Sequence, residues 1–178
     1  MYYNKIYKSK ILKSVKYLFY SNRYRIFASN FNVMTLVELE KQLPDIREAQ
    51  GASLTWLASR GLASPIVYRI HRGENYAIGS LLKYIESLHY VLKADGKIIT
   101  CLPKFANVLR SKRTSLGMSL TTVQKETGWN ANQVLAVERG SNFKRSTLLK
   151  YIELVKIDLE IVSIESLTPE EQEEFFRV

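Results

Sequence analysis

Apolar residues recur along the chain with the period of an amphipathic helix, in short segments separated by capping residues and glycines. The pattern predicts two groups of helices, one before residue 90 and one after residue 102. The predicted helices cover residues 35–50, 54–60, 65–72 and 78–88 in the first group and 103–115, 120–127, 131–139 and 146–155 in the second. Pro44 is expected to kink or divide the first helix, because proline removes a backbone hydrogen bond there.

The two groups belong to an internal sequence repeat. The stretch SLTWLASRGLASPIVYRIHRGENYAIGSLLKYIESL (Ser53 to Leu88) aligns with SLTTVQKETGWNANQVLAVERGSNFKRSTLLKYIELV (Ser119 to Val155). Both copies begin with Ser-Leu-Thr, pass a turn glycine and an Arg-Gly pair, and end in Leu-Leu-Lys-Tyr-Ile-Glu. The second copy has one extra residue near the turn. So much agreement in one order indicates two structural copies about 66 residues apart.

Capping residues and glycines mark the ends of the short helices. A side-chain oxygen at the N-cap accepts a hydrogen bond from a free backbone amide. The predicted N-caps are Ser53, Ser64, Ser119 and Asn130, with Pro65 at the first helical position after Ser64. Glycine permits the left-handed conformation that follows a helix. Turns are therefore predicted at Gly61 and Gly128, and helix ends at Gly73 and Gly140.

A short extended segment follows the last helix of each copy, at His89 to Lys93 and at Lys156 to Ile164. The sequence KIDLEIVSI in the second segment alternates apolar and polar residues as a half-buried strand does. The two segments either pair with each other, which would make the repeats a covalent pseudo-dimer, or are frayed extensions of the helices. Asp95-Gly96 is a turn signal, so Tyr90 to Leu102 is alternatively a β-hairpin.

Two short helices joined by a tight glycine turn are typical of proteins that place one helix end in the DNA major groove. The chain resembles the Xre or Cro type of phage-repressor-like helix-turn-helix family over residues 35–92 and 103–163. VQKETGWNANQVLAVERG has the family's alanine-like position, turn glycine, capping residue and terminal Glu-Arg-Gly. LASRGLASPIVYRIHRG keeps Leu-Ala, Gly and Arg-Gly, but its turn is one residue shorter, and His71 replaces the usual Glu.

The resemblance implies a mainly α fold with two tandem helix-turn-helix domains, each of four to five short helices followed by a short β-strand. The predicted organisation is a basic aromatic extension at 1–33, a first domain at 34–95, a linker at 96–102, a second domain at 103–164 and an acidic C-terminal tail at 165–178.

The resemblance also places base contacts at the start of two recognition helices, about 65–72 and 131–139. In the second helix Asn130, Asn132 and Gln133 face the groove, where Asn and Gln can pair with adenine. Alternatively Asn130 is only a cap and the other two are only solvated. In the first helix the corresponding face carries Ser64, Ile66, Tyr68 and Arg69, suited to thymine methyls, guanine or a phosphate.

Phosphate contacts are expected from the loops after the recognition helices and from the first helix of each motif. The predicted residues are Arg72, Arg139, Lys144, Arg145 and Thr121. Leu54 and Leu120 occupy the position where the family often has a backbone-contacting Gln, so Thr55 or Thr121 would replace that contact. Tyr76 and Phe143 occupy matching places, either as aromatic plugs under the loops or as stacking partners for bases.

The net charge of +9 favours a polyanionic partner. Residues 1–33 hold seven Lys or Arg and no acid, residues 34–152 seventeen basic against nine acidic, and residues 153–178 two against eight. The basic residues therefore lie in the head and body of the chain. Residues 1–33 are interpreted as an arm along DNA, as a helix on a membrane or partner, or as translated sequence upstream of a natural start at Met34.

Several other classes of protein are disfavoured. One cysteine, Cys101, cannot form an internal disulfide, and no secretory signal or long apolar run is present, so a cytoplasmic location without integral membrane contact is expected. His71 and His89 are too few and isolated for a metal site or triad, and no phosphate-binding glycine loop occurs. Neither a cofactor nor enzyme activity is expected.

The sequence therefore predicts a DNA-binding transcription regulator, such as a repressor, whose partner is double-stranded DNA. One chain would present two different recognition helices to an asymmetric operator, as an intramolecular pseudo-dimer or in a homodimer. The alternative is an antitoxin-like interaction protein that binds a partner toxin and autoregulates its operon. In the acidic tail, Thr168 is a cap before Pro169, and Phe175 and Phe176 either dock on a protein surface or remain solvated.

Overall fold

The first part of the chain folds as four helices followed by a β-hairpin. The structure is a computed structural model that describes residues 34–141 and 143–177, so the interpretations of residues 1–33 lie outside the described residues. The elements are α1 (Leu36–Ala49), α2 (Leu54–Ser59), α3 (Ser64–His71), α4 (Ile78–Ser87), β1 (Tyr90–Ala94) and β2 (Lys97–Ile99).

The second part repeats this order of helices and ends in a single strand. Its elements are α5 (Leu102–Ser115), α6 (Leu120–Thr127), α7 (Ala131–Glu138), α8 (Arg145–Val155) and β3 (Leu159–Ser163), followed by a 3₁₀ turn (Ile164–Ser166) and α9 (Pro169–Phe176). We call residues 34–100 the first half and residues 101–163 the second half. The predicted mainly α fold is confirmed, with a small three-stranded antiparallel sheet in the described residues.

Most of the predicted helix ends are capped as expected. The side chains of Ser53, Ser119 and Asn130 each accept a hydrogen bond from the backbone amide three residues later in the chain. The prediction for Ser64 is wrong, because α3 starts one residue earlier. Its N-cap is Ala63, which provides no side-chain hydrogen bond, and the proline follows Ser64 inside the first turn.

Helix α1 continues through Pro44, so of the two predicted effects, a kink or a division, the helix is not divided. A proline at this position removes the backbone hydrogen bond to the carbonyl of Glu40. Leu39, Leu43 and Ile46 on the same helix are buried in the core. Their burial stabilises the helix on both sides of the proline and compensates for one missing bond.

The three strands resolve the open question of strand pairing. The sheet order is β2-β1-β3, and β1 pairs antiparallel with both neighbours. The hairpin around Asp95-Gly96 and the pairing between the two halves therefore occur together, and the interpretation as frayed helices is wrong. Lys97–Ile99, within the segment that the sequence assigned to a linker, is the edge strand of this sheet.

The two halves pair around an approximate twofold axis. After the turn, equivalent residues of the repeat lie 67 positions apart. Leu92 pairs with Ile161, and Ala94 pairs with Leu159. These two pairs exchange when the halves are exchanged. Between them, Lys93 pairs with Glu160, and these two residues occupy equivalent positions in the repeat. The approximate axis therefore passes through this pair.

The loops after α3 and α7 meet on the same axis. The Ile78 amide donates to the Phe143 carbonyl at 2.9 Å, and the Arg145 amide donates to the Tyr76 carbonyl at 2.8 Å. These two hydrogen bonds also exchange when the halves are exchanged. One apolar core contains buried side chains of both halves, with Tyr84, Tyr151 and Phe105 among the largest. Residues Val33–Val178 accordingly form one compact unit.

The acidic tail forms the capped helix α9 against the outer face of the sheet. Phe175 packs on a small cluster of Val91, Ile98 and Leu167. Two ion pairs flank it, Lys93 with Glu171 at 2.6 Å and Lys104 with Glu174 at 3.3 Å. Phe175 is thus docked, whereas Phe176 is 70% exposed.

Candidate nucleic-acid interface

The first turn of helix α7 is exposed to solvent, and buried apolar residues follow it. Ala131, Asn132 and Gln133 are exposed, whereas Val134 and Val137 are completely buried. The apolar positions of the helix pack against α5 and α6. The predicted groove-facing residues are therefore accessible, and they lie at the free end of an anchored helix.

Asn130 and Gln133 form a reciprocal capping box at this end. The Asn130 Oδ1 accepts from the Gln133 amide at 3.0 Å, and the Gln133 Oε1 accepts from the Asn130 amide at 2.9 Å. The box uses both side-chain oxygens and leaves the two NH₂ groups as donors. Among the described residues, the Asn132 side chain has no hydrogen-bond partner. Asn132 therefore has both the donor and the acceptor that a bidentate contact with adenine requires.

A buried ion pair anchors the other end of α7. The Glu138 carboxylate accepts from Arg113 Nε at 2.5 Å and from Arg113 Nη2 at 3.0 Å. Tyr151 donates to the same carboxylate, and Arg113 also donates to the carbonyl of Met118. The hydrogen bond that Arg113 donates to Glu138 raises the pKa of the Arg113 guanidinium. Burial, together with this carboxylate, raises the pKa of the Tyr151 phenol. Arg113 therefore stays charged and Tyr151 stays protonated at neutral pH, so both remain hydrogen-bond donors to the carboxylate.

The equivalent group in the first half lacks the carboxylate. By the repeat, Arg47, His71 and Tyr84 correspond to Arg113, Glu138 and Tyr151. His71 Nε2 lies 2.7 Å from the Tyr84 hydroxyl, and Arg47 Nη1 donates to the carbonyl of Ala52 at 3.2 Å. The buried Nε of Arg47 has no hydrogen-bond partner among the described residues. The end of α3 is therefore held by one neutral hydrogen bond instead of an ion pair.

The outward face of α3 is more apolar than that of α7. Tyr68 is 47% exposed, Arg69 is exposed, and Ser64 is half-buried. Ile66 packs partly against the core, so only part of its side chain reaches solvent. Arg72 lies with its guanidinium 5.9 Å from the Tyr68 ring centre and also pairs with Glu74 at 3.5 Å.

One basic residue near this face was missed by the sequence reasoning. Arg60 is exposed directly after α2, and its guanidinium lies 4.3 Å from the ring centre of Trp56. The stacking holds the charge beside the turn into α3. The sequence signal for this contact is an arginine four positions after a tryptophan.

The predicted phosphate-contacting residues fall into two classes. Thr121, Arg139 and Lys144 are exposed. Arg145 instead belongs to the interior, because its side chain is 14% exposed and two of its nitrogens lie 2.6 Å from the carboxylate of Glu40. Its guanidinium is therefore not available to a phosphate in this structure.

Tyr76 and Phe143 are buried under the loops, which agrees with their interpretation as aromatic plugs. In the described part of the chain, no three His, Cys, Asp or Glu side chains are grouped so as to hold a metal ion. None of the described helices has the length and apolar character needed to cross a membrane. No protein-family model, no curated protein and no solved structure matches the chain.

Proposed function

We propose that the chain binds double-stranded DNA as a sequence-specific regulator of transcription, with α2 and α3 forming one helix-turn-helix unit and α6 and α7 the other. The observation that carries the proposal is the exposed turn Ala131–Gln133 at the tip of α7. An exposed helix end with the free Asn132 amide and the free NH₂ donors of Asn130 and Gln133 matches what the major groove accepts and what its base edges recognise.

The anchoring of α7 supports this assignment. Base reading requires side chains that stay in place without the ligand, since ordering them on binding would cost free energy. The buried valines and the Arg113–Glu138 pair immobilise the helix, and the capping box immobilises its first turn. Asn132 is the residue that we assign to an adenine contact.

The pairing of the halves supports two contacts on one duplex. The DNA backbone has local twofold symmetry, and repressor dimers place two recognition helices about 34 Å apart, one helical turn. An approximate twofold axis between β1 and β3 also relates α3 to α7 within one chain, and we propose that both helices contact one duplex. Because Tyr68 and Arg69 stand in one recognition helix and Asn132 and Gln133 in the other, the operator is expected to be asymmetric.

The exposed basic residues supply the phosphate contacts of the proposal. Arg69 and Arg72 belong to α3 and its end, while Arg139 and Lys144 lie on either side of the loop after α7. Arg60 joins them at the end of α2. Arg145 is not included, because Glu40 holds it inside the fold.

The test is selection of bound sites from random duplexes, followed by titration of the selected site with Asn132→Ala. We expect a loss of about 1–3 kcal/mol of binding free energy that is confined to one base position. The matched control is Gln42→Ala, an exposed amide on α1 that should bind with wild-type affinity. A uniform loss over all sequences would place Asn132 among the phosphate contacts, and a wild-type chain that ignores duplexes at low salt would refute the proposal.

A further inference from the structure

The backbone contacts between the two halves do not by themselves decide which half pairs with which. The strand register and the two loop hydrogen bonds are nearly symmetric around the axis. A twofold interface of this kind can also join two identical surfaces from separate chains. Side chains close to the axis must therefore decide whether a first half pairs with a second half or with another first half.

A buried polar cluster lies on one side of this interface. Glu40 of α1 and Tyr76 belong to the first half, whereas Arg145 belongs to the second half. The Glu40 carboxylate receives two hydrogen bonds from the Arg145 guanidinium, both 2.6 Å long, and a third from the Tyr76 hydroxyl. Glu40 is 2% exposed. The carboxylate is thus completely dependent on a partner from the other half for neutralisation.

The other side of the interface carries apolar residues at the corresponding positions. By the repeat, Glu40 corresponds to Ala106, Tyr76 to Phe143 and Arg145 to Ile78. All three apolar residues are buried. The buried charges of this cluster therefore occur on one side of the axis only, and they are complementary only when a first half meets a second half.

The strand pair on the axis also carries opposite charges, although the Lys93 ammonium makes its ion pair with Glu171 of α9. Lys93 lies directly opposite Glu160. If two first halves paired in this register, Lys93 would face a second Lys93, and two second halves would place Glu160 opposite Glu160. Like charges that lie directly opposite in antiparallel strands are unfavourable.

We infer that these charges make the interface selective, so that each half accepts the other half and rejects a second copy of itself. Pairing of two first halves would leave Glu40 buried opposite Ile78, twice. Pairing of two second halves would leave Arg145 buried opposite Ala106, twice. Each unpaired buried charge shifts the pairing equilibrium by about a hundredfold or more. One chain is then a complete two-sided unit, whether or not it binds DNA.

A covalent trap in the full chain tests the inference. In a K93C/C101S background, pairing of two first halves would place the two introduced thiols directly opposite each other, at a separation that a disulfide can bridge. The background chain should give almost no covalent dimer on mild oxidation, because the introduced thiol faces Glu160 of its own chain. Adding Glu40→Ala removes the buried charge that opposes pairing of two first halves. It also leaves Arg145 without its carboxylate when the first half pairs with the second half of the same chain. The yield of dimer should rise about tenfold or more.

The double variant E40A/R145I in the same background separates selectivity from simple loss of stability. It introduces alanine and isoleucine, the residue types that Ala106 and Ile78 provide at the equivalent positions on the other side. The normal pairing of the two halves then contains no unpaired buried charge. The short tether then favours pairing within the chain, and the dimer yield should return to that of the background.

Equal yields with and without Glu40→Ala, or a double variant that cross-links as well as E40A, would overturn the inference. If E40A does not keep its helical circular dichroism, R145I in an E160C/C101S background gives the same test for two second halves. No step uses DNA, so the result is independent of the proposed function.

Discussion

One substitution between the two copies changes the character of a buried site. Glu138 in the second half neutralises Arg113, whereas His71 in the first half stands beside Arg47 without neutralising it. Burial lowers the pKa of His71, and the positive charge of Arg47 lowers it further. The folded first half therefore favours the neutral imidazole, which can hydrogen-bond to Tyr84 without repelling the arginine.

This difference predicts a pH dependence of stability. A histidine whose pKa is lower in the folded than in the unfolded chain binds fewer protons when folded, so stability is complete above the unfolded pKa of about 6.5 and falls as the pH drops through it. Urea unfolding at pH 7.5 and pH 5.5 should show a lower midpoint at pH 5.5. In the variant His71→Gln most of this shift should disappear. An unchanged shift in that variant would assign the effect to other groups.

At the scale of the helix, the end of α7 is joined to the start of α5 by a close backbone approach. Gly140 follows α7 with φ +74°, and a Cβ atom built there would lie 2.7 Å from the Cα of Pro103. Gly128, before α7, has a similar φ of +72° but no atom within 4 Å of such a Cβ. The two glycines thus share the backbone requirement and differ in the space around them.

The pair provides its own controlled experiment on the packing of this helix. Gly128→Ala should cost about 1–2 kcal/mol of unfolding free energy, the penalty of a left-handed L-residue. Gly140→Ala should cost about 1–3 kcal/mol more, because the chain around Pro103 must move. Denaturant unfolding of both variants measures the difference. Equal losses would show that the contact between α5 and the end of α7 is looser than described.

Across the described molecule, acidic residues concentrate in helix α9 and exposed basic residues lie near the two proposed recognition helices. The acidic helix α9 forms ion pairs with Lys93 of β1 and Lys104 of α5. Arg69, Arg72, Arg139 and Lys144 are exposed at the ends of the two proposed recognition helices. Where those charges meet phosphates, each neutralised phosphate releases counterions, and the affinity for DNA depends on salt.

The proposed phosphate contacts can be counted from that salt dependence. A plot of log affinity against log salt concentration should be steep for the wild type and shallower by about 0.9 for Lys144→Ala. Lys41→Ala, which removes an exposed charge on α1, should leave the slope unchanged. An unaltered slope for the Lys144 variant would exclude that residue from the phosphate contacts.

Much of the candidate site could be predicted because its signals are local. A capping residue such as Asn130 acts within three residues, and the burial of Val134 and Val137, three positions apart, follows from the helical period. Arg145 could not be placed in this way. Its partner Glu40 is 105 positions away, and an arginine before a helix has the same local pattern whether it faces solvent or a buried carboxylate.

The sequence by itself determined the helices, most of their caps, the repeat and the polar tip of α7, because hydrophobic period and capping act over a few neighbouring residues. Only the tertiary structure decided that β1 pairs with both β2 and β3, that α9 docks through Phe175, and that Arg145 is an interior ion-pair partner. These features join residues far apart in the chain. Their free energy depends on which surfaces meet, and local sequence does not specify that.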